Sequence, residues 1–276
     1  MSLHRRSILG LGALFGAAAT TEAHAARPAR ALGAGNLSGL LDGATFGLQP
    51  DAASDQSGRL QKAVDEAARR QMPLWLAPGS YRVRKLTLKS GTHLVGTPGA
   101  TRLLLTGKSS AIVGRDAARL RLEGLTIDGA GADLSRGQAL LAITHVPDLV
   151  LDDVAIANSL AGAIRLERCA GRVTRCRINA IAEAAIFSTD ATGLLITENV
   201  ISDCGNNGIL VWQSAKRADG TRVLSNRISR IRADAGGSGQ NGNGINVFRA
   251  GDVLVANNHI SDCAYSAVRG NACDNI

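Results

Sequence analysis

Residues 194–212 read LLITENVISDCGNNGILVW, and this stretch decides the fold. Its short apolar segments are broken by Asn, Asp and Gly, which is typical of strands and turns rather than of helices. The same pattern recurs along the chain around a reference isoleucine. The copies of this residue are Ile127, Ile156, Ile178, Ile201, Ile228 and Ile260, and the two shortest intervals are 22 and 23 residues.

Neighbouring positions repeat with the reference isoleucine and form further columns. Five residues before it stand Leu122, Leu151, Val173, Ile196, Val223 and Val255. Two residues before it stand Leu125, Val154, Cys176, Asn199, Asn226 and Asn258. Eight residues after it stand Ile164, Ile186, Ile209 and Val268, and Ile245 joins them if a glycine-rich insertion after Arg232 is looped out.

A period near 22 leaves room for about three short strands per unit, each followed by a turn. One such unit cannot bury its apolar side alone, so the units must stack into a parallel β-solenoid. A leucine-rich repeat is the alternative at this period. Its consensus and its helical return arm are missing, because Asn and Gly interrupt every segment long enough for a helix. The Asn199 column predicts an internal ladder of hydrogen-bonded amides.

One segment has helical spacing. Residues 57–70 place Leu60, Ala63, Val64 and Ala67 on one face and charged residues on the other. Such a face must cover something, and the open end of a solenoid, with its unpaired strand edges, is the expected target.

The amino-terminal residues predict export. Residues 1–25 combine Arg5 and Arg6, a short apolar run and the cleavage sequence Ala23-His24-Ala25, as in a signal peptide. The arginine pair resembles a twin-arginine signal, which makes the twin-arginine export machinery a partner and the periplasm or the medium the destination. Residues 26–56 are interpreted as a linker and entry segment, and residues 57–276 as the solenoid domain.

The segment after the helix carries a family resemblance. Residues 73–83 read PLWLAPGSYRV, and LTLKSGTHLVG follows at 86–96. Together with the helix they resemble the amino-terminal end of the pectate-lyase-like superfamily. With the leader, the whole resembles exported twin-arginine repeat proteins of that superfamily, which have no assigned activity. The resemblance implies an all-β, right-handed, single-stranded parallel β-helix with an amino-terminal capping α-helix.

The resemblance also implies where chemistry would lie. Related polygalacturonases place paired aspartates at the turn seven to eight residues after the reference isoleucine. In this chain Glu183 is the one acid in that column, whereas glycoside hydrolysis ordinarily needs two carboxylates. Hydrolysis is therefore disfavoured. A lyase needs only a base and a cation beside a uronate, and Ca²⁺ can assist. The catalytic candidates are Arg165, Glu183 and Arg269.

Alternation along the strands after these turns predicts an outward column that a polymer could follow, namely Arg165, Phe187, Leu210, Asn246 and Arg269. Arg165 and Arg269 stand four units apart, roughly 19 Å, so they cannot share one reaction centre. Trp212 is expected to stack on a sugar ring. Further substrate-binding candidates, expected at turns or on the surface, are Asn206, Asn207, Asn243 and Asn246.

The amino-acid composition limits which partners and cofactors are expected. The net charge of +8 suits an acidic partner, while the aromatic content of 3% offers few platforms for stacked bases, so nucleic acid is not expected. The histidines and cysteines show no metal-ligand spacing, and no cofactor is predicted beyond the Ca²⁺ of a lyase. Five cysteines are an odd number, and Cys204 and Cys263 fall two units apart, beyond disulfide reach. Reduced core cysteines are expected.

The sequence therefore predicts an exported β-helix that binds or cleaves a polysaccharide, with an anionic one cleaved by β-elimination. The alternative is a non-catalytic scaffold of the envelope or surface. No membrane span is expected once the leader is removed. Residues 267–276 stop within a unit and bring no cap, so either the natural chain continues or this end associates with another copy.

Overall fold

A computed structural model describes residues 39–108, 112–130, 132, 134–135 and 137–276. The predicted signal peptide lies outside the described residues. Twenty-five strands, β1–β25 along the chain, form three parallel sheets that wind around one apolar core. Each turn of the winding, here called a coil, adds one strand to each sheet, so the predicted parallel β-helix is confirmed.

Sheet A has nine strands and begins at the amino-terminal end. Its members are β1 (Leu41–Asp42), β2 (Leu74–Trp75), β5 (Thr92–Val95), β8 (Leu120–Glu123), β11 (Leu149–Asp152), β14 (Gly171–Thr174), β17 (Leu194–Thr197), β20 (Arg222–Leu224) and β23 (Leu254–Ala256).

Sheet B has eight strands and contains the reference isoleucines. Its members are β3 (Gly79–Val83), β6 (Thr101–Leu105), β9 (Thr126–Asp128), β12 (Ala155–Ser159), β15 (Arg177–Ile181), β18 (Val200–Cys204), β21 (Arg227–Ile231) and β24 (His259–Cys263).

Sheet C also has eight strands and includes the two longest. Its members are β4 (Leu86–Leu88), β7 (Ile112–Arg115), β10 (Ala139–Thr144), β13 (Gly162–Glu167), β16 (Ala184–Thr189), β19 (Asn207–Ala218), β22 (Asn243–Gly251) and β25 (Val268–Asn271).

The predicted columns are strand registers. Ile156 pairs with Ile178, Ile178 with Ile201, and Ile201 with Ile228. Ile245 pairs with Ile209, as expected if residues 232–242 form a loop outside the coil. Each buried aliphatic side chain contributes about 1.5–3 kcal/mol relative to exposure. Because matching residues stack directly, every coil extends the same core.

The corner between sheets A and B takes two residues and is built identically in successive coils. Glu198 has φ 57° and Ser225 has φ 54°, both left-handed, and each is followed by an asparagine that turns inward. Oδ1 of Asn226 accepts from the backbone N–H of Asn199 at 3.0 Å, and Oδ1 of Asn199 accepts from that of Cys176 at 2.9 Å. The predicted ladder of amides is present.

The helix α1 (Ser57–Arg70) has the predicted bounds. Leu60, Ala63 and Val64 are fully buried, and the helix packs against β4 and β5 at the amino-terminal end of the solenoid. It ends at Gln71, whose left-handed backbone lets its N–H reach the carbonyls of Ala67 and Ala68. The cap therefore forms as its apolar face requires.

The described part of the entry segment begins sheet A. Leu41 and Asp42 form β1, the outermost strand of sheet A, and residues 43–46 form a 3₁₀ turn. The N–H of Leu41 donates to the carbonyl of Pro73 at 2.8 Å. Residues 41 and 42 satisfy the edge of β2, which would otherwise be open, so the entry segment already contributes to the solenoid.

All five cysteines are free thiols, as predicted. Cys169, Cys176 and Cys204 are buried, whereas Cys263 and Cys273 are partly exposed. Burial raises the pKa of the Cys176 and Cys204 thiols to about 12, so both stay protonated small hydrophobes.

Candidate functional site

The outer face of sheet C carries the predicted outward column. Arg165 pairs with Phe187, Phe187 with Leu210, Leu210 with Asn246, and Asn246 with Arg269. The two arginines are four strand steps apart, roughly 19 Å, as the sequence predicts. They can contact one extended ligand at two places but cannot act on one atom.

Three aromatic rings lie side by side on this face. The ring centroids of Phe187 and Trp212 are 5.1 Å apart at 76°, and those of Trp212 and Phe248 are 5.3 Å apart at 55°. Trp212 pairs with Phe248 across β19 and β22, and all three residues are partly exposed. The first contact is edge-to-face and the second is tilted, and together they fix the rings in a rigid apolar strip. We call Phe187, Trp212 and Phe248 the aromatic strip.

Guanidinium groups flank the aromatic strip. The Cζ atom of Arg165 lies 5.0 Å from the centroid of Phe187, and that of Arg249 lies 4.8 Å from the centroid of Phe248. These cation–π contacts hold positive charge at both ends of the strip. The face therefore combines stacking surface with donors for acidic groups.

The candidates Arg165 and Glu183 both contact Gly137 in the connection between β9 and β10. Nη1 of Arg165 donates to the carbonyl of Gly137 at 3.0 Å, and the N–H of Gly137 lies 3.3 Å from each carboxylate oxygen of Glu183. These bonds give both side chains a structural task. Their catalytic role stays a prediction.

The four candidate asparagines hold the loop at residues 232–242. Oδ1 of Asn206 accepts from the N–H of Ala235, and the side chains of the others donate to Gln240 or Gly239. Asn207, Asn243 and Asn246 are at most 3% exposed, so placing them at surface turns was wrong. The loop folds back over this corner, and their amides supply its hydrogen bonds.

This loop closes one side of a pocket of about 170 Å³ beside the aromatic strip. Nη1 of Arg269 and Nε1 of Trp212 are buried there without a hydrogen-bond partner among the described residues. A buried donor left unpaired costs about 1–3 kcal/mol, and neither nitrogen is exposed to the pocket. The lining residues are Trp212, Gln240, Asn246, Phe248, Arg269 and Asn271.

The sequence identified Trp212, Asn246 and Arg269 of this pocket and missed Phe248, Asn271 and Gln240. Phe248 and Asn271 continue the outward alternation two residues beyond Asn246 and Arg269, so the strand pattern contained that signal. Gln240 lies in the inserted loop, where no periodicity applies.

Among the described residues, the carboxylates on this face do not form a hydrolytic pair. In the described chain, Glu167 is the one acid at an outward strand position of sheet C. Glu167 pairs with Thr189 on the neighbouring strand. Thr189 lies six residues beyond Glu183 in the chain, so Glu167 and Glu183 are about 20 Å apart along the strand direction. Hydrolysis requires about 5–9.5 Å between the two carboxyl groups.

Asp190, just beyond β16, has a structural role. Burial raises its pKa, but hydrogen bonds from the N–H and hydroxyl of Ser214 and the charge of Arg217 outweigh burial and lower the pKa overall. It is 5% exposed, so it remains an ionised anchor for the end of β19.

The described part of the chain has no group of three His, Cys, Asp or Glu side chains arranged to hold a metal ion. In the same part, no helix has the length and apolar character that a membrane crossing requires.

Comparison with protein families assigns the fold. The model of the right-handed β-helix region matches residues 106–228 and 162–276. This chain belongs to that right-handed β-helix family. The superfamily resemblance of the sequence is thereby confirmed, including the handedness of the winding. Comparison with curated proteins finds no match.

Solved structures with the same winding include two viral proteins. Geobacillus virus E2 ORF18 is 13% identical at a TM-score of 0.59, over 87% of this chain and 51% of that one. Pre-mature bacteriophage phi29 gene product 12 is 14% identical at a TM-score of 0.60, over 80% of this chain and 32% of that one. This chain thus spans about half and a third of their lengths. At these identities the likeness establishes the fold alone.

A looser likeness is to the A-module of the mannuronan C-5 epimerase AlgE4 of Azotobacter vinelandii. It is 18% identical at a TM-score of 0.39, over 79% of this β-helix and 76% of that chain.

Proposed function

We propose that this β-helix is exported to the periplasm or the medium and binds an anionic polysaccharide along the outer face of sheet C. The pocket beside Trp212 carries the proposal, because it joins an aromatic wall to the partly exposed side chain of Arg269. Sugar rings stack on aromatic faces, and carboxylates accept from guanidinium groups. The leader and the net charge of +8 support export and an acidic ligand.

Binding along the strip would engage Phe187 and Phe248 on either side of Trp212. Arg165 lies roughly 19 Å from Arg269, which suits contacts to separate sugars of one extended chain. Within this proposal Glu183 and the four asparagines shape the site by holding its two connecting segments. In this proposal the twin-arginine leader at residues 1–25, outside the described residues, directs the export.

The test is affinity electrophoresis of the mature protein in gels containing polygalacturonate, alginate or neutral dextran. Trp212→Ala and Arg269→Gln are each expected to weaken binding about tenfold, since a stacked ring or a charge-assisted hydrogen bond contributes about 1–3 kcal/mol. Arg227→Gln is the matched control, because Arg227 is an exposed strand arginine on sheet B. Unchanged affinity in both groove variants would refute the site.

The same incubations, with and without Ca²⁺, address cleavage. Ultraviolet absorbance from unsaturated chain ends would assign β-elimination, with Arg165 or Arg269 as the base. If none of the polymers retards the protein in the gels, the result would instead favour the non-catalytic scaffold.

A further inference from the structure

A second charged surface runs along sheet A, on a different side of the solenoid. From β8 to β23 one outward position alternates between arginine and an aliphatic residue, coil by coil. Successive arginines are therefore two coils apart, about 9.6 Å. We call this column the arginine track; its members are Arg121, Val150, Arg172, Leu195, Arg222 and Leu254.

The arginines of the track differ from three arginines at the neighbouring corners and on sheet B. Arg175, Arg177 and Arg230 each pair with an aspartate of an adjacent coil. In the described residues, Arg121, Arg172 and Arg222 have neither an ion-pair nor a hydrogen-bond partner. The track thus places three arginines without an ion pair on one line.

Glu123 sits beside the track and offsets part of the charge of Arg121 and Arg172. Its carboxylate is engaged by His93, whose Nε2 lies 3.3 Å from Oε1. The close approach of His93 is also the main reason why the pKa of Glu123 is lowered, with Arg121 and Arg172 adding smaller effects through their charge.

Aliphatic residues fill the gaps between the charges. Val150 points outward yet is only 1% exposed, so neighbouring side chains of the face cover it. At its amino-terminal end the track enters a depression of about 620 Å³, to which His93, Arg119 and Arg121 contribute. A linear ligand could begin in this depression and follow the sheet along the solenoid axis.

The distance between successive arginines indicates which kind of polyanion fits the track. A nucleic acid strand carries one charge about every 3.4 Å, so most phosphates would lie between two arginines. A linear glycan with one carboxylate or sulfate per disaccharide carries its charges at close to the two-coil distance. We propose that the arginine track binds such a charge-sparse anionic glycan, with one disaccharide spanning two coils, independently of the site on sheet C.

The experiment measures binding of the mature protein to hyaluronan, which has one carboxylate per disaccharide, by biolayer interferometry at several salt concentrations. The triple variant Arg121→Ser, Arg172→Ser, Arg222→Ser is expected to lose affinity about tenfold, because exposed charge contacts contribute modestly but add along a line. Its affinity should also depend less on salt.

Two controls separate this inference from the proposed function. Arg227→Ser removes an equally exposed strand arginine from sheet B and should leave hyaluronan binding unchanged. Conversely, the triple variant should keep the polygalacturonate binding that Trp212→Ala weakens, because its three arginines lie on sheet A and Trp212 lies on sheet C. The inference is overturned if hyaluronan does not bind, or if the triple variant binds hyaluronan as tightly as the unaltered protein does. It is also overturned if double-stranded DNA binds the unaltered protein as tightly as hyaluronan does and loses the same affinity in the triple variant.

Discussion

At the scale of single residues, Asn226 links three coils. Its Oδ1 accepts from the backbone N–H and the side-chain amide of Asn199 at 3.0 and 2.9 Å. Its Nδ2 donates to the carbonyl of Ile196 at 3.0 Å and to Oδ1 of Asn258 at 2.9 Å. The side chain satisfies backbone groups that the corner removes from the strand ladders, at a position only 1% exposed.

Asn226→Ala should therefore lower the free energy of unfolding by about 3 kcal/mol, since several buried groups lose their partner at once. Urea titration followed by circular dichroism measures the change. Asn179→Ala is the control, because Asn179 is exposed on sheet B and should change stability by less than about 0.5 kcal/mol. Equal losses in the two variants would show that the ladder is not a stabilising element.

The ladder was readable from the sequence because its members repeat with the isoleucines. The left-handed residue before each asparagine was not readable, because Glu198 and Ser225 share no residue type. A non-glycine residue in this conformation costs about 1–2 kcal/mol, and it persists here because stacked neighbours fix the corner.

At the scale of elements, the ends of sheets decide how the chain is capped. β4 is the first strand of sheet C, and Gln61 of α1 pairs with it as a neighbouring strand would. Nε2 of Gln61 donates to the carbonyl of Thr87, and the N–H of Thr87 donates to Oε1, both at 2.8 Å. Helix α1 thereby covers an edge that could otherwise recruit another chain.

Gln61→Ala should cost about 1–2 kcal/mol in unfolding free energy, although alanine favours the helix, because both backbone groups of Thr87 lose their partner. We also expect self-association, visible as an earlier peak in size-exclusion chromatography. Lys62→Ala changes an exposed neighbour in the same helix, and it should neither lower the unfolding free energy nor cause self-association. A monomeric, fully stable Gln61→Ala protein would contradict this role.

The loop at residues 232–242 is the element that the repeat could not describe. Its insertion was visible as a break in the period, but its position over Asn207, Asn243 and Asn246 depends on how it folds back. For that reason the sequence placed these amides at the surface and could not include Gln240 in the pocket.

At the scale of the whole molecule, stacking is the property that fixes every surface. Asn179 lies opposite Ser202, and Ser202 lies opposite Ser229, on successive strands of sheet B. Facing positions of adjacent strands are about 4.8 Å apart, within the range of a disulfide, whereas two coils span about 9.6 Å, which exceeds it.

The pair Asn179→Cys with Ser202→Cys should therefore form a disulfide under mild oxidation, detected by peptide mapping with mass spectrometry. The pair Asn179→Cys with Ser229→Cys should remain reduced and serves as the control. A bond in the second pair but not the first would mean that the coils stack in another register.

The sequence by itself determined the winding, because an aliphatic residue at matching places in each unit can be buried only if the units stack. It also determined which strand residues point outward, since side chains alternate along every strand. Tertiary structure alone decided what covers the outward residues. Among the described residues, the fold of the inserted loop, the unpaired Nη1 of Arg269 and the lack of an ion pair at Arg172 depend on contacts between distant segments, which no local pattern records.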